Sequence, residues 1–129
     1  MPLCADFDKG LGGEGYRVIC YDHRGIGAST RGSGNISMST LAADAASLLD
    51  ALGVGRFHVL GWSLGSCVAQ EVAIAYPELM TSLVLASTWH RADGYQRALY
   101  TSFRHLWATG ASGNRLDGAD RRVVLPGAA

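Results

Sequence analysis

The sequence predicts an α/β fold: a mostly parallel sheet with flanking helices and three recognisable strands. Two observations lead there. Three short apolar runs, Tyr16–Tyr21, Phe57–Gly61 and Ser82–Ser87, alternate along the chain with segments whose apolar residues recur every three or four positions. Strand–helix alternation of this kind specifies parallel strands joined by helical crossovers. The runs are also nearly continuous in apolar residues, as strands are when both faces are covered.

The elements follow in order. Tyr16-Arg17-Val18-Ile19-Cys20-Tyr21 comes after Gly12, Gly13 and Gly15 and reads as a buried strand. Residues 22–37 hold four glycines and read as loop. Ser37 or Ser39 is placed to cap the helix that follows, in which Leu41, Ala42, Ala45, Leu48, Leu49 and Leu52 form one apolar stripe. Gly53 closes it. Phe57–Gly61 is the second strand. Leu64–Tyr76 is helical, with Val68, Val72 and Ala75 apolar, Gln70 and Glu71 polar, and Pro77 as terminator. Ser82–Ser87 is the third strand. Residues 95–108 form a last helix with Asp93 as N-cap and Leu99, Phe103, Leu106 and Trp107 on one face. From Ala111 the pattern dissolves. The expected organisation is therefore a core over residues 1–110 and a weakly ordered or aberrant tail over 111–129.

Bulk properties remove several function classes. The 129 residues suffice for one domain with a small core. A hydrophobic content of 48% argues against disorder. Eleven basic residues balance eleven acidic ones, which leaves no footprint for nucleic acid or an anionic membrane. Cys4, Cys20 and Cys67 lack metal or redox spacing, and no secretory signal is visible. The expectation is a cytoplasmic protein with reduced thiols, Cys20 and Cys67 in the core, and no cofactor or metal.

The chemistry concentrates at Gly61-Trp62-Ser63-Leu64-Gly65. This G-x-S-x-G pattern follows an apolar strand and opens an amphipathic helix, which is the context of a nucleophile elbow. The sharp turn presents Ser63 at its tip in a strained conformation. Gly61 and Gly65 are expected to be small because backbone crowds the turn. The helix beginning beneath Ser63 points free N–H groups and its positive dipole end at a developing oxyanion, with the Leu64 N–H as one donor. Trp62 either lines an acyl pocket or simply packs. A phosphate-binding loop is excluded, because the Lys-Ser/Thr of that motif is missing and dinucleotide glycine spacing is not met.

A family resemblance now becomes specific. Asp22-His23-Arg24-Gly25-Ile26-Gly27-Ala28-Ser29 resembles the Asp-x-Arg-Gly-x-Gly-x-Ser loop after the fourth strand of α/β-hydrolases, about forty residues before the elbow. Ala69-Gln70-Glu71-Val72-Ala73, Tyr76-Pro77-Glu78 and Ser82–Ser87 resemble the helix after the elbow and the sixth strand. The likeness covers roughly residues 15 to 90. It implies a partial α/β-hydrolase fold and cofactor-free hydrolysis of an ester, lactone or related small-molecule bond, with Ser63 as nucleophile. The nearest groups are esterases, enol-lactonases and non-haem peroxidases. Asp22 and Arg24 belong to a structural loop there, and their charges are expected to be paired locally or solvated. The last helix corresponds to the start of a cap.

The resemblance also implies parts with no counterpart here: a triad acid, a triad histidine and an oxyanion loop upstream of Tyr16. His58 falls inside a strand, His23 in the structural loop and His105 on the last helix. His90 and Asp93 are the nearest, poor, substitutes. The family's third strand lies between its fourth and fifth, here 17–21 and 57–61. Those two must pair directly or leave a gap. The expectation is a truncated chain, inactive or nearly so. The alternative is a non-catalytic α/β-hydrolase-like binding or interaction module, self-associating through exposed sheet.

Overall fold

A computed structural model of the chain describes residues 9–108. The chain divides into two compact units with the boundary between Trp89 and His90. In the first unit, residues 9–13 form a helical turn that no motif in the sequence announces. Helix α1 (Met38–Ala51), strand β1 (Phe57–Trp62), helix α2 (Leu64–Ala75), a 3-10 turn (Pro77–Leu79) and strand β2 (Met80–Ala86) follow. The second unit contains helix α3 (Gly94–Ala108). The tail expected from residue 111 onward lies outside the described residues.

Helix α1 starts and stops where local chemistry directs. Ser37 is the N-cap; its side chain accepts from the Thr40 N–H at 3.1 Å, and Thr40 Oγ1 accepts from the Ser37 N–H at 2.8 Å. This is a reciprocal capping box in which threonine replaces the usual Glu or Gln. At the other end Gly53 adopts φ 67°, its N–H donates to the Asp50 carbonyl, and the Val54 N–H donates to the Leu49 carbonyl. These two bonds are the Schellman pattern that glycine permits. In α3, Asp93 caps in the same reciprocal way: its carboxylate accepts from the Gln96 N–H at 2.8 Å, and the Gln96 carboxamide oxygen accepts from the Asp93 N–H at 3.3 Å.

The core of the first unit lies between α1, α2 and β1. Leu41, Ala42 and Ala45 of α1 meet Val68 and Val72 of α2, with Met38, Phe57, Tyr76 and Met80 packed around them. Alanines at these contacts let the two helices approach closely. The apolar stripe of α1 is buried at its start; at its end Leu52 is exposed.

β1 and β2 pair in parallel, from Phe57 opposite Met80 to Trp62 opposite Ala86, with one irregularity between Phe57 and His58. α2 covers one face of this two-stranded sheet. Leu60, Trp62 and Val84 point to the other face and are 43%, 52% and 51% exposed. The expectation of strands covered on both faces therefore fails within the described residues. Residues 16–21, expected as a buried strand, form no ladder and join no sheet. A strand needs a neighbour for its N–H and C=O groups, and among the described residues β1 is paired on one side only. Direct pairing of 17–21 with 57–61, one of the two outcomes expected, is not formed. Cys20, expected in the core, is consequently exposed, and Cys67 is half-buried. No helix among the described residues is long and apolar enough to cross a membrane.

Candidate active site

β1 delivers the chain to the elbow. The Ser63 N–H extends the β1–β2 ladder by one bond, donating to the Ala86 carbonyl at 3.0 Å. The backbone then turns at φ 51°, ψ −120°, a region costly for a residue with a Cβ. Helix α2 begins at the next residue. The Ser63 carbonyl accepts from the Ser66 N–H at 2.9 Å and from Ser66 Oγ at 2.5 Å. Ser66 is fully buried, so its hydroxyl fixes the first turn from beneath. Both backbone groups of Ser63 are thus tied down, while its side chain makes no capping hydrogen bond to α2.

The glycines on either side differ. A Cβ on Gly61 would lie 2.5 Å from the Gly65 carbonyl oxygen and 2.6 Å from Ser66 Cα. These are backbone atoms that cannot rotate away. A Cβ on Gly65 would meet nothing within 4 Å among the described residues. The expectation that crowding demands both glycines holds at Gly61 and is corrected at Gly65. The backbone of Gly65 and Ser66 is what crowds Gly61, whereas the side-chain direction at Gly65 is open.

As the first residue of α2, Leu64 has an N–H that no carbonyl of its own helix accepts. With the dipole end of α2 it gives the elbow a local preference for negative charge. Trp62, beside Ser63, stands on the open face of the sheet and is 52% exposed.

Among the described residues no base accompanies the serine. Among the described residues Ser63 Oγ has no hydrogen-bond partner. His58 Nδ1 lies 2.7 Å from Ser82 Oγ on the open sheet face, with Tyr16 edge-on to the imidazole at 5.9 Å. His23 packs edge-on to Tyr21 at 5.1 Å, and its Nδ1 is buried without a partner among the described residues. Burial pushes the His23 imidazole below its ordinary pKa, against the opposing pull of Asp44 and Asp22. His90 and Asp93 lie in the second unit, where the Asp93 carboxylate caps α3. His105 sits in the last turn of that helix.

The glycine-rich loop is structural. Asp22 Oδ2 accepts from the Ala28 N–H at 3.1 Å, and Ser29 Oγ donates to the Asp22 carbonyl at 2.6 Å. Gly27 (φ 54°) leaves room for that carboxylate, which a Cβ would strike at 2.1 Å. Arg24 grips Asp44 of α1 with two guanidinium nitrogens, Nε at 2.6 Å from Oδ2 and Nη2 on Oδ1. That hydrogen bonding holds the Asp44 carboxyl below the usual carboxylate range. Arg24 is therefore paired across 20 residues, not within its own loop. A shallow groove of about 340 Å³ opens here, lined by Tyr21, Asp22, Arg24, Arg31 and Asp44 among others.

One contact is not legible in the sequence. Gln70 of α2 binds the segment leaving β2, with Nε2 donating to Thr88 Oγ1 at 2.7 Å and to the Trp89 carbonyl at 3.1 Å. Cys67 Sγ approaches the same carbonyl at 3.8 Å. On helical periodicity Gln70 looks like an ordinary polar position.

The family model described as "alpha/beta hydrolase fold" matches residues 2–115. The chain belongs to the α/β-hydrolase fold family. Among curated α/β-hydrolase relatives, it is 42% identical over 85 residues to "Putative carbamate hydrolase RutD" of Azorhizobium caulinodans, covering 66% of this chain and 32% of that protein. It is 36% identical over 96 residues to "Putative non-heme bromoperoxidase BpoC" of Mycobacterium tuberculosis, covering 74% and 36% respectively. A crystal structure of a hydrolase from Pseudomonas aeruginosa superposes with a TM-score of 0.63 at 33% identity, over 84% of this chain and 44% of that one. The chain thus spans about a third of the length of these curated α/β-hydrolase relatives.

Proposed function

We propose that this chain carries the nucleophile portion of a serine-dependent α/β-hydrolase site acting on an ester, lactone or related small-molecule acyl bond. The carrying observation is Ser63 at φ 51°, ψ −120° between β1 and α2, with Gly61 closed in by backbone. A protein stores such strain where the geometry is used. Ser63 Oγ attacks the substrate's carbonyl carbon, and its proton passes to a base. The carbonyl π electrons move to oxygen, and the Leu64 N–H with the α2 dipole end stabilises that oxyanion. Collapse expels the leaving group, which takes a proton from the protonated base, and water then hydrolyses the acyl-serine. The relatives named a carbamate hydrolase and a bromoperoxidase keep the acyl class broad.

The 129-residue polypeptide by itself is inactive or nearly so, because among its described residues nothing takes the proton from Ser63 Oγ. Hydrolysis of p-nitrophenyl acetate should match that of Ser63→Ala. Activity well above that control would overturn the inactivity. For the nucleophile, added imidazole supplies the base: a fluorophosphonate should then label the chain at Ser63 by peptide mass spectrometry. Labelling elsewhere, or none, would overturn the assignment.

A second reading, a non-catalytic module that self-associates, is favoured by the open apolar face at Leu60, Trp62 and Val84. Light scattering decides it. A concentration-independent monomer removes it.

A further inference from the structure

The elbow is held from two sides. Its own helix fixes the Ser63 carbonyl through Ser66, while the Ser63 N–H is fixed by Ala86, the last residue of β2. A ladder bond at a strand end frays unless the chain beyond it is anchored. Beyond Ala86 the chain makes a second strained step, because Ser87 adopts φ 52° without being glycine. The next two residues are those that Gln70 holds, through Thr88 Oγ1 and the Trp89 carbonyl. Trp89 O has no proton to give, so the Gln70 atom facing it is the amide nitrogen, and its two N–H groups match two acceptors. Gln70 lies two turns into the same helix that begins at Leu64. The helix that starts under the serine thus also clamps the strand end to which the serine's N–H is bonded.

We propose that Gln70 is a positioning residue for the elbow: by clamping the Ser87–Trp89 strap to α2 it keeps the Ala86 carbonyl on the Ser63 N–H and so holds Ser63 in its strained conformation. The proposal takes its catalytic meaning from Ser63 as nucleophile, but its test does not depend on catalysis.

The measurement is amide hydrogen exchange of the full 129-residue chain, read as the protection factor at Ser63 relative to Val72 in the C-terminal half of α2. Gln70→Ala should lower Ser63 protection by about tenfold or more through local opening while Val72 is unchanged; Glu71→Gln on the same helix should leave both unchanged. Gln70→Glu preserves shape but sets a carboxylate against a carbonyl. It should lower Ser63 protection at neutral pH and regain it at acid pH, where the protonated carboxyl donates again. That pH signature would not arise from a packing role. Should Gln70→Ala fail to fold, the isosteric Gln70→Glu decides alone. Wild-type protection at Ser63 in Gln70→Glu at neutral pH, or equal losses at Ser63 and Val72, would overturn the proposal. Failure of imidazole-assisted labelling at Ser63 would remove the nucleophile assignment and leave the exchange result standing.

Discussion

Replacing Gly61 by alanine tests the elbow's packing most directly. The new methyl carbon would sit 2.5 Å from the Gly65 carbonyl oxygen, 2.6 Å from Ser66 Cα and 2.8 Å from the Gly65 carbonyl carbon. Carbon atoms in contact prefer about 3.5–4.0 Å, so the backbone of the first α2 turn must retreat by roughly 1 Å. That turn is not free to move. Ser66 Oγ and N–H both hold the Ser63 carbonyl, and Ser63 N–H holds Ala86. Overpacking into side chains costs about 1–3 kcal/mol. Here the obstacle is backbone, so the expected loss lies at or above the upper figure, about 3 kcal/mol. Each 1.4 kcal/mol is about a factor of ten in an equilibrium constant, so the folded fraction relative to unfolded should fall roughly a hundredfold. Gly65→Ala is the control. Its methyl enters open space, and alanine is favoured over glycine in a helix by about 1 kcal/mol. Urea unfolding followed by far-UV circular dichroism reads both. A Gly61→Ala midpoint at or above that of Gly65→Ala would refute the reasoning.

Other outcomes follow from the same geometry. Ser63→Gly should raise stability by about 1 kcal/mol, seen as a higher urea midpoint, since it relieves strain of about 1–3 kcal/mol at a smaller entropic cost; an unchanged or lower midpoint would mean that Ser63 is not strained. Ser37→Ala removes the acceptor for the Thr40 N–H and should cost about 1 kcal/mol, measured as loss of helical ellipticity and a lower midpoint. For pH, Asp44 is held below its unfolded pKa, so its stabilising pairing with Arg24 is present above that pKa and lost as pH falls through the depressed folded one. Asp44→Asn should remove that acid limb. His23 is lowered from 6.5, so the unfolded chain binds the proton more readily; stability should decline as pH drops below about 6.5, and His23→Gln should flatten the decline in urea midpoints between about pH 5 and 8.

Much of the site is legible in residue type and spacing. The elbow motif, the cap at Ser37, the stop at Gly53 and the Asp93 cap are local: each depends on residues within a few positions, where residue type and spacing nearly fix the hydrogen bonds. The amphipathic stripes of α1 and α2 point to the core because helix periodicity is also local. Residues 16–21 depart from their pattern because an apolar β-branched run specifies willingness to be a strand, while a strand exists only when a neighbouring backbone accepts its bonds. Cys20 departs from expectation for the same reason, since burial belongs to whatever covers a surface. The sequence leaves Arg24 paired locally or solvated; its partner, Asp44, is 20 residues away on a helix.

The amino-acid order by itself therefore determined α1, α2 and α3, their ends and the turn that presents Ser63, because these rest on short-range geometry. Tertiary structure alone decided which glycine is indispensable, that Ala86 and Gln70 secure the serine's backbone, and that one face of the sheet stays open. Those depend on distances between segments far apart in the chain, which no local pattern encodes.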